Sequence, residues 1–332
     1  MRHGVRPWGH ESMNDTISVT RTGLLGSRRG DLDLATMATT QPRTRRPIGG
    51  GWNPPRRGAG HGNVTRRTRD LHGDHRAKAG VTRTTRFDVA SLTKVMATLP
   101  IILRLVEEGL LDVSAEIKTV IPNAGWLHEP SLGDRTVREL LLHTSGLPAT
   151  LPFMAVASNR RQVVGQAMAS QLESSPGAVR YSDLGFILLG TIAEWRTGRR
   201  LDELFERYVS DALGLQHTGY MPIADCEATS AADVAPTEAC AWRGRLMQGQ
   251  VHDEAAWLMD GVAGHAGLFT TIDDAARYAQ AWLTADPRLA STDSMEAAVR
   301  RGTRQGEPAR GLGWVLAADA HERPTDAVDW RG

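Results

Sequence analysis

From Leu92 onward, apolar residues fall at Leu92, Val95, Met96, Leu99, Ile102, Leu103 and Val106, the spacing of one buried helical face. Gly109 supplies a C-cap, and Pro100 is expected to bend this helix because its ring meets the carbonyl of Met96. Thr136 and Glu139 fit a T-x-x-E capping box, opening a second helix through Leu140, Leu141 and Leu142 that ends at Gly146-Leu-Pro148. A third helix begins just after Tyr181-Ser-Asp183 and continues to about Trp195. A fourth covers Leu201 to Val209, and another runs from about Asp273 to Trp282. Val262 to Thr270 is short and Gly-rich, and Gly311-Leu-Gly-Trp-Val-Leu316 predicts a strand. The pattern is that of a mostly helical body with few strands.

Residues 1–80 show neither the helical nor the strand period, and Gly49-Gly-Gly-Trp-Asn-Pro-Pro-Arg-Arg-Gly58 is dense in breakers. Such a segment buries too little apolar surface to offset about 1–2 kcal/mol of backbone entropy per residue, so disorder is expected there. The division expected is a basic arm over 1–85 and an ordered body over 86–332.

Charge sharpens this division. Residues 1–86 carry 17 Lys+Arg against 6 Asp+Glu, and residues 87–332 carry 22 against 32. A basic arm on an acidic body can signal nucleic-acid contact. Here the arm has few aromatics and no helical period of arginines, and the whole chain has 36 Arg but 3 Lys. Nucleic-acid binding through the arm is the least favoured reading, because the bias matches codon usage better than a phosphate-binding surface. Two cysteines, Cys226 and Cys240, make neither a disulfide framework nor, without nearby ligands, a zinc site. No run approaches the ~18 apolar residues of a membrane span, and Met1 to Gly30 has arginines and no apolar core of a signal peptide. A cytoplasmic location is the default expectation. Neither metal nor cofactor is implied.

Ser91-Leu-Thr-Lys94 places a serine and a lysine on one face of a helix start. There an ammonium can stabilise an alkoxide, or a neutral lysine can take a proton, and the helix N-terminus favours negative charge. Taken alone, the motif is better read as an N-cap serine with a solvated lysine. Tyr181-Ser-Asp183 offers a general base or proton relay. Taken alone, it is a half-buried tyrosine before an Asp N-cap.

The conjunction decides between these. Phe87-Asp-Val-Ala-Ser-Leu-Thr-Lys94, Leu141-Leu-His-Thr-Ser-Gly-Leu-Pro148, Pro176-Gly-Ala-Val-Arg-Tyr-Ser-Asp183 and Gly264-His-Ala-Gly-Leu-Phe-Thr-Thr271 occur in that order. Together they resemble the β-lactamase-related serine hydrolases: class C β-lactamases, D-Ala-D-Ala carboxypeptidases, D-aminopeptidases and esterases. The resemblance covers about 86 to 316. It implies an α+β, β-lactamase/transpeptidase-like fold, with a helical region beside an antiparallel sheet. It also implies Ser91 as nucleophile, its N–H as half of an oxyanion hole, and Lys94 and Tyr181 as the proton-handling pair. Asp183 stands where the family has Asn. An ionised carboxylate accepts but cannot donate, which argues for esterase- or peptidase-like chemistry over a penicillin-specialised pocket.

The family's third motif, K-T-G or H-T-G, follows its G-L-G-W strand by a few tens of residues. His217-Thr-Gly219 lies too early, His265-Ala-Gly267 belongs to the Gly-rich segment, and Gly311-Leu-Gly-Trp314 is followed by 18 residues without it. Two family strands expected before Ser91 are also not evident. A truncated or frameshifted product with an incomplete sheet is therefore expected. The function expected is acyl-enzyme hydrolysis of an ester, a D-amino-acid peptide or a β-lactam, with an inert remnant or binding protein as the alternative. The partner implied is a small-molecule or peptide substrate.

Overall fold

A computed structural model describes residues 81–121, 130–223 and 233–316. The arm over 1–80, the stretch after Leu316 and Cys226 lie outside the described residues. Residues 81–85, counted with the arm above, form a turn in which Thr85 N–H donates to Thr82 O at 3.1 Å. Arg83 Nε donates to Asp273 at 3.0 Å, tying that turn to the body.

The chain enters through β1 (Phe87–Asp88), a 3-10 turn (Ala90–Leu92), a π turn (Lys94–Thr98) and α1 (Leu99–Glu107). The single helix expected from Leu92 is thus wound in three ways. Leu99 N–H bonds back to Lys94 O, five residues away, and Pro100 falls in the first turn of α1. A residue without an N–H is tolerated there, and the wider winding takes up what would otherwise be a clash with the preceding carbonyl.

After α2 (Ile117–Val120) and α3 (Pro130–Gly133), α4 (Val137–Leu142) opens on the expected capping box. Glu139 N–H donates to Thr136 Oγ1 at 3.1 Å and Thr136 N–H to Glu139 Oε2 at 2.7 Å. The helix stops at Leu142, before Gly146, because His143 takes a left-handed conformation with φ +58°. Then come α5 (Phe153–Val156) and α6 (Arg160–Met168), the latter not anticipated from periodicity, and α7 (Asp183–Thr197). Ser182, not Asp183, is the N-cap of α7; Asp183 is its first residue. The segment from Leu201 divides into α8 (Leu201–Phe205), a π turn (Glu206–Ser210) and α9 (Asp211–Leu213). The remaining elements are β2 (Gly219–Tyr220), β3 (Ala239–Cys240), β4 (Arg245–Leu246), α10 (Glu254–Leu258), β5 (Leu268–Thr270), α11 (Ile272–Leu283) and α12 (Thr292–Val299).

The strand predicted over 311–316 is instead a tight reversal. Gly311 N–H donates to Trp314 O at 3.1 Å, Gly313 takes φ +76°, and a single bridge joins Arg310 to Val315. An extended conformation is lost because a positive φ at Gly313 turns the chain back on itself.

Every residue from Leu184 to Ala193 of α7 is buried, so this helix is apolar all round and central. It packs against α1, α4, α6 and α8. On another side it meets the Gly264-His-Ala-Gly267 segment at a distance only glycine permits. A Cβ on Gly264 would lie 2.1 Å from Phe186 O, and one on Gly190 would lie 3.0 Å from Gly264 Cα. That contact sets where β5 runs. β5 is the middle of a three-stranded antiparallel sheet ordered β1-β5-β2, with Asp88 opposite Phe269 and Tyr220 opposite Leu268. The sequence Gly264 to β5 to β1 therefore transmits the position of α7 to the residues just before Ser91. Among the described residues no helix is long and apolar enough to cross a membrane.

Gly264→Ala should lower stability by roughly 1–3 kcal/mol, since the new methyl meets backbone rather than a side chain that can move aside. The urea midpoint of the full chain measures it; an unchanged midpoint would mean the two segments separate at little cost.

Candidate active site

Ser91 stands exposed in the middle of the 3-10 turn, directly after a strained residue: Ala90 has φ +45°. A left-handed alanine costs about 1–2 kcal/mol and needs external support. Asp88 provides it. Its Oδ1 accepts Ala90 N–H at 2.8 Å and its Oδ2 accepts His252 N–H at 2.8 Å, while Val89 N–H bonds to Leu268 O at 3.1 Å. Burial pushes the Asp88 carboxyl up, against the two backbone donors that favour its anion.

Lys94 lies one turn on, with its side chain only 3% exposed. Its Nζ donates to Ser91 Oγ at 2.9 Å, to Asp183 Oδ1 at 2.7 Å and to His265 O at 3.3 Å. Three donors meet three acceptors from three segments, so the ammonium is fully used. Burial alone would lower its pKa, but the oxygens of Tyr181 and Asp183 outweigh that and hold it above the ordinary lysine value. The lysine is thus an ammonium at neutral pH. It donates to Ser91 and cannot, in that state, accept its proton.

Tyr181 is 40% exposed, and its ring centroid lies 4.7 Å from Lys94 Nζ. Its ring stacks on His143 at 4.6 Å. His143 Nδ1 accepts Ser182 N–H at 3.0 Å, and burial, with Arg310 and Lys94 nearby, drives its pKa well below the usual value. A neutral imidazole that accepts at Nδ1 carries its proton on Nε2. The loop bearing Tyr181 is pinned at both sides, through Gly177 N–H to Thr144 O and Arg180 N–H to His143 O, each 2.8 Å, and through Val179 N–H to Glu307 Oε2 at 2.9 Å.

Beneath the lysine, His265 Nε2 and Asp253 Oδ1 are 2.8 Å apart, and the imidazole is 1% exposed. Burial would raise the Asp253 carboxyl, but His265 holds it well below the usual carboxylate range. Sequence reasoning assigned Gly264-His-Ala-Gly267 a structural part. The structure gives it that part and, besides, the carbonyl that bonds Lys94. His217-Thr-Gly219 is structural: buried Thr218 donates to Asp274 at 2.9 Å and bonds Thr270.

All four residues singled out in the sequence come together: Ser91, Lys94, Tyr181 and Asp183. Asp88, His143, Asp253, His265 and Arg310 were not singled out. Asp88 was findable as an Asp two residues before Ala90, able to close an Asx turn. The others become neighbours only through the fold.

A serine hydrogen-bonded to a buried lysine three residues on, with a tyrosine from a second segment beside them, is the arrangement that Ser91, Lys94 and Tyr181 form. The profile of the Beta-lactamase family matches residues 59–332. The chain belongs to the β-lactamase family.

Among relatives, it is 33% identical over 270 residues to a putative D-alanyl-D-alanine carboxypeptidase of Escherichia coli (strain K12), covering 73% of this chain and 61% of that protein. It is 32% identical over 257 residues to an N-acetylmuramyl-L-alanine amidase of Bacillus subtilis (strain 168), covering 69% and 57%. The chain thus spans about three fifths of the curated relatives it matches. The penicillin-binding protein of Bacillus halodurans superposes with TM-score 0.56 at 21% identity, over 72% of this chain and 73% of that one. The octameric penicillin-binding protein homologue of Pyrococcus abyssi gives 0.55 at 23%, over 70% and 54%. At those identities the structures establish the fold, α+β and β-lactamase/transpeptidase-like, mostly helical among the described residues.

Asp183→Ala should destabilise the chain by about 3 kcal/mol, because it leaves a buried ammonium without its counter-ion. Asp183→Asn, which keeps an acceptor oxygen, should cost clearly less. Denaturant titration of the two variants beside the parent checks the order; equal losses would mean the charge of Asp183 contributes nothing.

Proposed function

We propose that this chain is a serine acyl-hydrolase that works through an acyl-enzyme at Ser91. The observation that carries the reading is the hydrogen bond from the buried Lys94 ammonium to Ser91 Oγ, with Asp183 holding the ammonium in place. Ser91 Oγ attacks a carbonyl carbon, its proton leaves by way of Tyr181, Lys94 stabilises the negative charge that develops on Oγ as the proton departs, and the charge passes to the former carbonyl oxygen as the C–O bond forms. Collapse of the tetrahedral species breaks the bond to the alcohol or amine, which takes up the proton. Water then attacks the Ser91 ester by the same route in reverse and releases the acid. Lys94 and Tyr181 are the proposed catalytic partners, and Asp183 fixes Lys94.

The substrate proposed is an acylated D-amino-acid peptide. Two features support it: the relative named as a putative D-alanyl-D-alanine carboxypeptidase, and the carboxylate of Asp183, which is committed to Lys94 and offers no amide N–H to a ligand. Simple esters should be accepted too, because ester cleavage makes the same acyl-enzyme.

Offered p-nitrophenyl acetate, N-acetyl-D-Ala-D-Ala and a chromogenic cephalosporin, the full chain should turn over the first two, and Ser91→Ala should fall to background. Intact-mass measurement should show a 1:1 acyl adduct in the parent only. A folded parent with neither turnover nor adduct would overturn the proposal in favour of an inert member of the family.

The pH profile tests the part given to Lys94. A reaction that needs the ammonium is lost as pH rises through its pKa. Asp183 helps hold that pKa above the ordinary lysine value, so in the parent the loss lies beyond the usual assay range. Asp183→Asn removes that support and should bring the alkaline limb of kcat/KM down in pH. A limb that does not move would exclude Lys94 as the titrating group.

A further inference from the structure

We propose that Asp253 and His265 are positioning residues for Lys94: their contact holds the His265 carbonyl under the ammonium and sets a carboxylate behind it. This rests on the acyl-hydrolase reading above and adds two residues to it.

The floor of the site needs such a tie because its own backbone is permissive. His265 lies in Gly264-His-Ala-Gly267, and Gly267 takes φ +115°. The flanks of this segment have their own anchors. Thr98 Oγ1 donates to Gly264 O at 2.6 Å, and Leu268 N–H donates to Thr93 Oγ1 at 3.1 Å. Between them the carbonyl of His265 faces Lys94 Nζ, 3.3 Å away. The side chain of the same residue supplies the remaining hold, through the 2.8 Å contact of Nε2 with Asp253 Oδ1. Turning that carbonyl aside would pull a 1% exposed imidazole off its partner.

Asp253 is itself held. Its Oδ1 also accepts Ala256 N–H at 2.8 Å, at the start of α10, and Arg243 Nη1 donates to the carbonyl of His252 at 2.9 Å. The adjacent His252 N–H binds Asp88 Oδ2, and Asp88 Oδ1 binds Ala90 N–H, each at 2.8 Å. Two consecutive residues, His252 and Asp253, thus support both ends of the turn that carries the reaction. One reaches the residue before Ser91, and the other reaches Lys94. Capping α10 would by itself ask for neither a buried imidazole nor this second link.

The pair acts by charge as well. The titratable groups that face Lys94 are Asp183, Tyr181, His143 and this pair. Tyr181 and Asp183 are the larger supports of its proton. Lys94 in turn helps hold the Asp253 carboxyl below the usual carboxylate range, so the attraction is mutual. In the alkaline range where a lysine gives up its proton, the pair bears the charge of Asp253 alone. Removing that charge should let Lys94 deprotonate at lower pH.

The chain has three lysines, Lys78, Lys94 and Lys118, so the full-length protein labelled with 13Cε-lysine gives three signals. Lys78→Arg and Lys118→Arg assign the other two. Asp253→Asn keeps an oxygen for Ala256 N–H and His265 Nε2 while removing the charge, and Lys94 should lose its proton at lower pH than in the parent. With p-nitrophenyl acetate, His265→Ala should lower kcat roughly ten- to a hundredfold, the scale of a misplacement of about 1 Å, with KM within about twofold. His265→Gln, which keeps an N–H donor near the place of Nε2, should recover most of that loss. An alanine variant as active as the parent, a glutamine variant no better than alanine, or an unmoved Lys94 titration would overturn the proposal. The titration decides where the alanine variant fails to fold by circular dichroism. Absence of turnover by the parent chain sinks the acyl-hydrolase reading instead, and the lysine titration, which needs no substrate, still tests the pair.

Discussion

The buried ammonium of Lys94 is the constraint around which the rest is arranged. A cation taken almost wholly out of water is tolerable only if every N–H has an acceptor and a negative group is near. Those acceptors come from Ser91 on its own turn, Asp183 at the start of α7, and the carbonyl of His265 in the glycine-rich segment. Three stretches far apart in sequence must converge within hydrogen-bond reach of one nitrogen. The all-apolar α7, the glycine contact at 190 and 264, and the short central strand β5 bring them there.

A second requirement is that the serine stand out of the helix surface while its lysine stays in. The left-handed Ala90 achieves this, and the cost is local backbone strain. Asp88 holds the strained peptide from below, and its other oxygen binds His252 N–H, next to Asp253. Asp253 in turn pairs with His265, whose carbonyl faces Lys94. The underside of the site is thus one connected polar network, with carboxylates of Asp88 and Asp253 compensated by backbone N–H groups and an imidazole. Above it, Lys94 and Arg310 both lie against the ring of the half-exposed Tyr181.

Several features of this arrangement were legible in the residues. The helical face from Leu92, the Thr136 box and the apolar run after Asp183 follow from period and capping, which act over a single turn. Ser91, Lys94, Tyr181 and Asp183 could be named because they sit in short blocks whose order resembles a family. The local winding was less legible. One helix became a 3-10 turn, a π turn and an α-helix, because Pro100 and the strained Ala90 bear on the same few residues. A run of six that read as a strand, Gly311 to Leu316, folded back because glycine permits the positive φ that its contacts with Leu141 and Ala298 demand.

The sequence by itself determined which stretches carry buried helix faces and which four residues to look for at one site, since these depend on interactions a few residues long and on short blocks of residues. Only the tertiary structure decided the charge partners of Lys94, the neutral tautomer of His143 and the placing of Arg310 against Tyr181. Each of these depends on what lies within a few ångströms after residues distant along the chain have met. Charge in a buried site is set by its neighbours, and the fold alone chooses them.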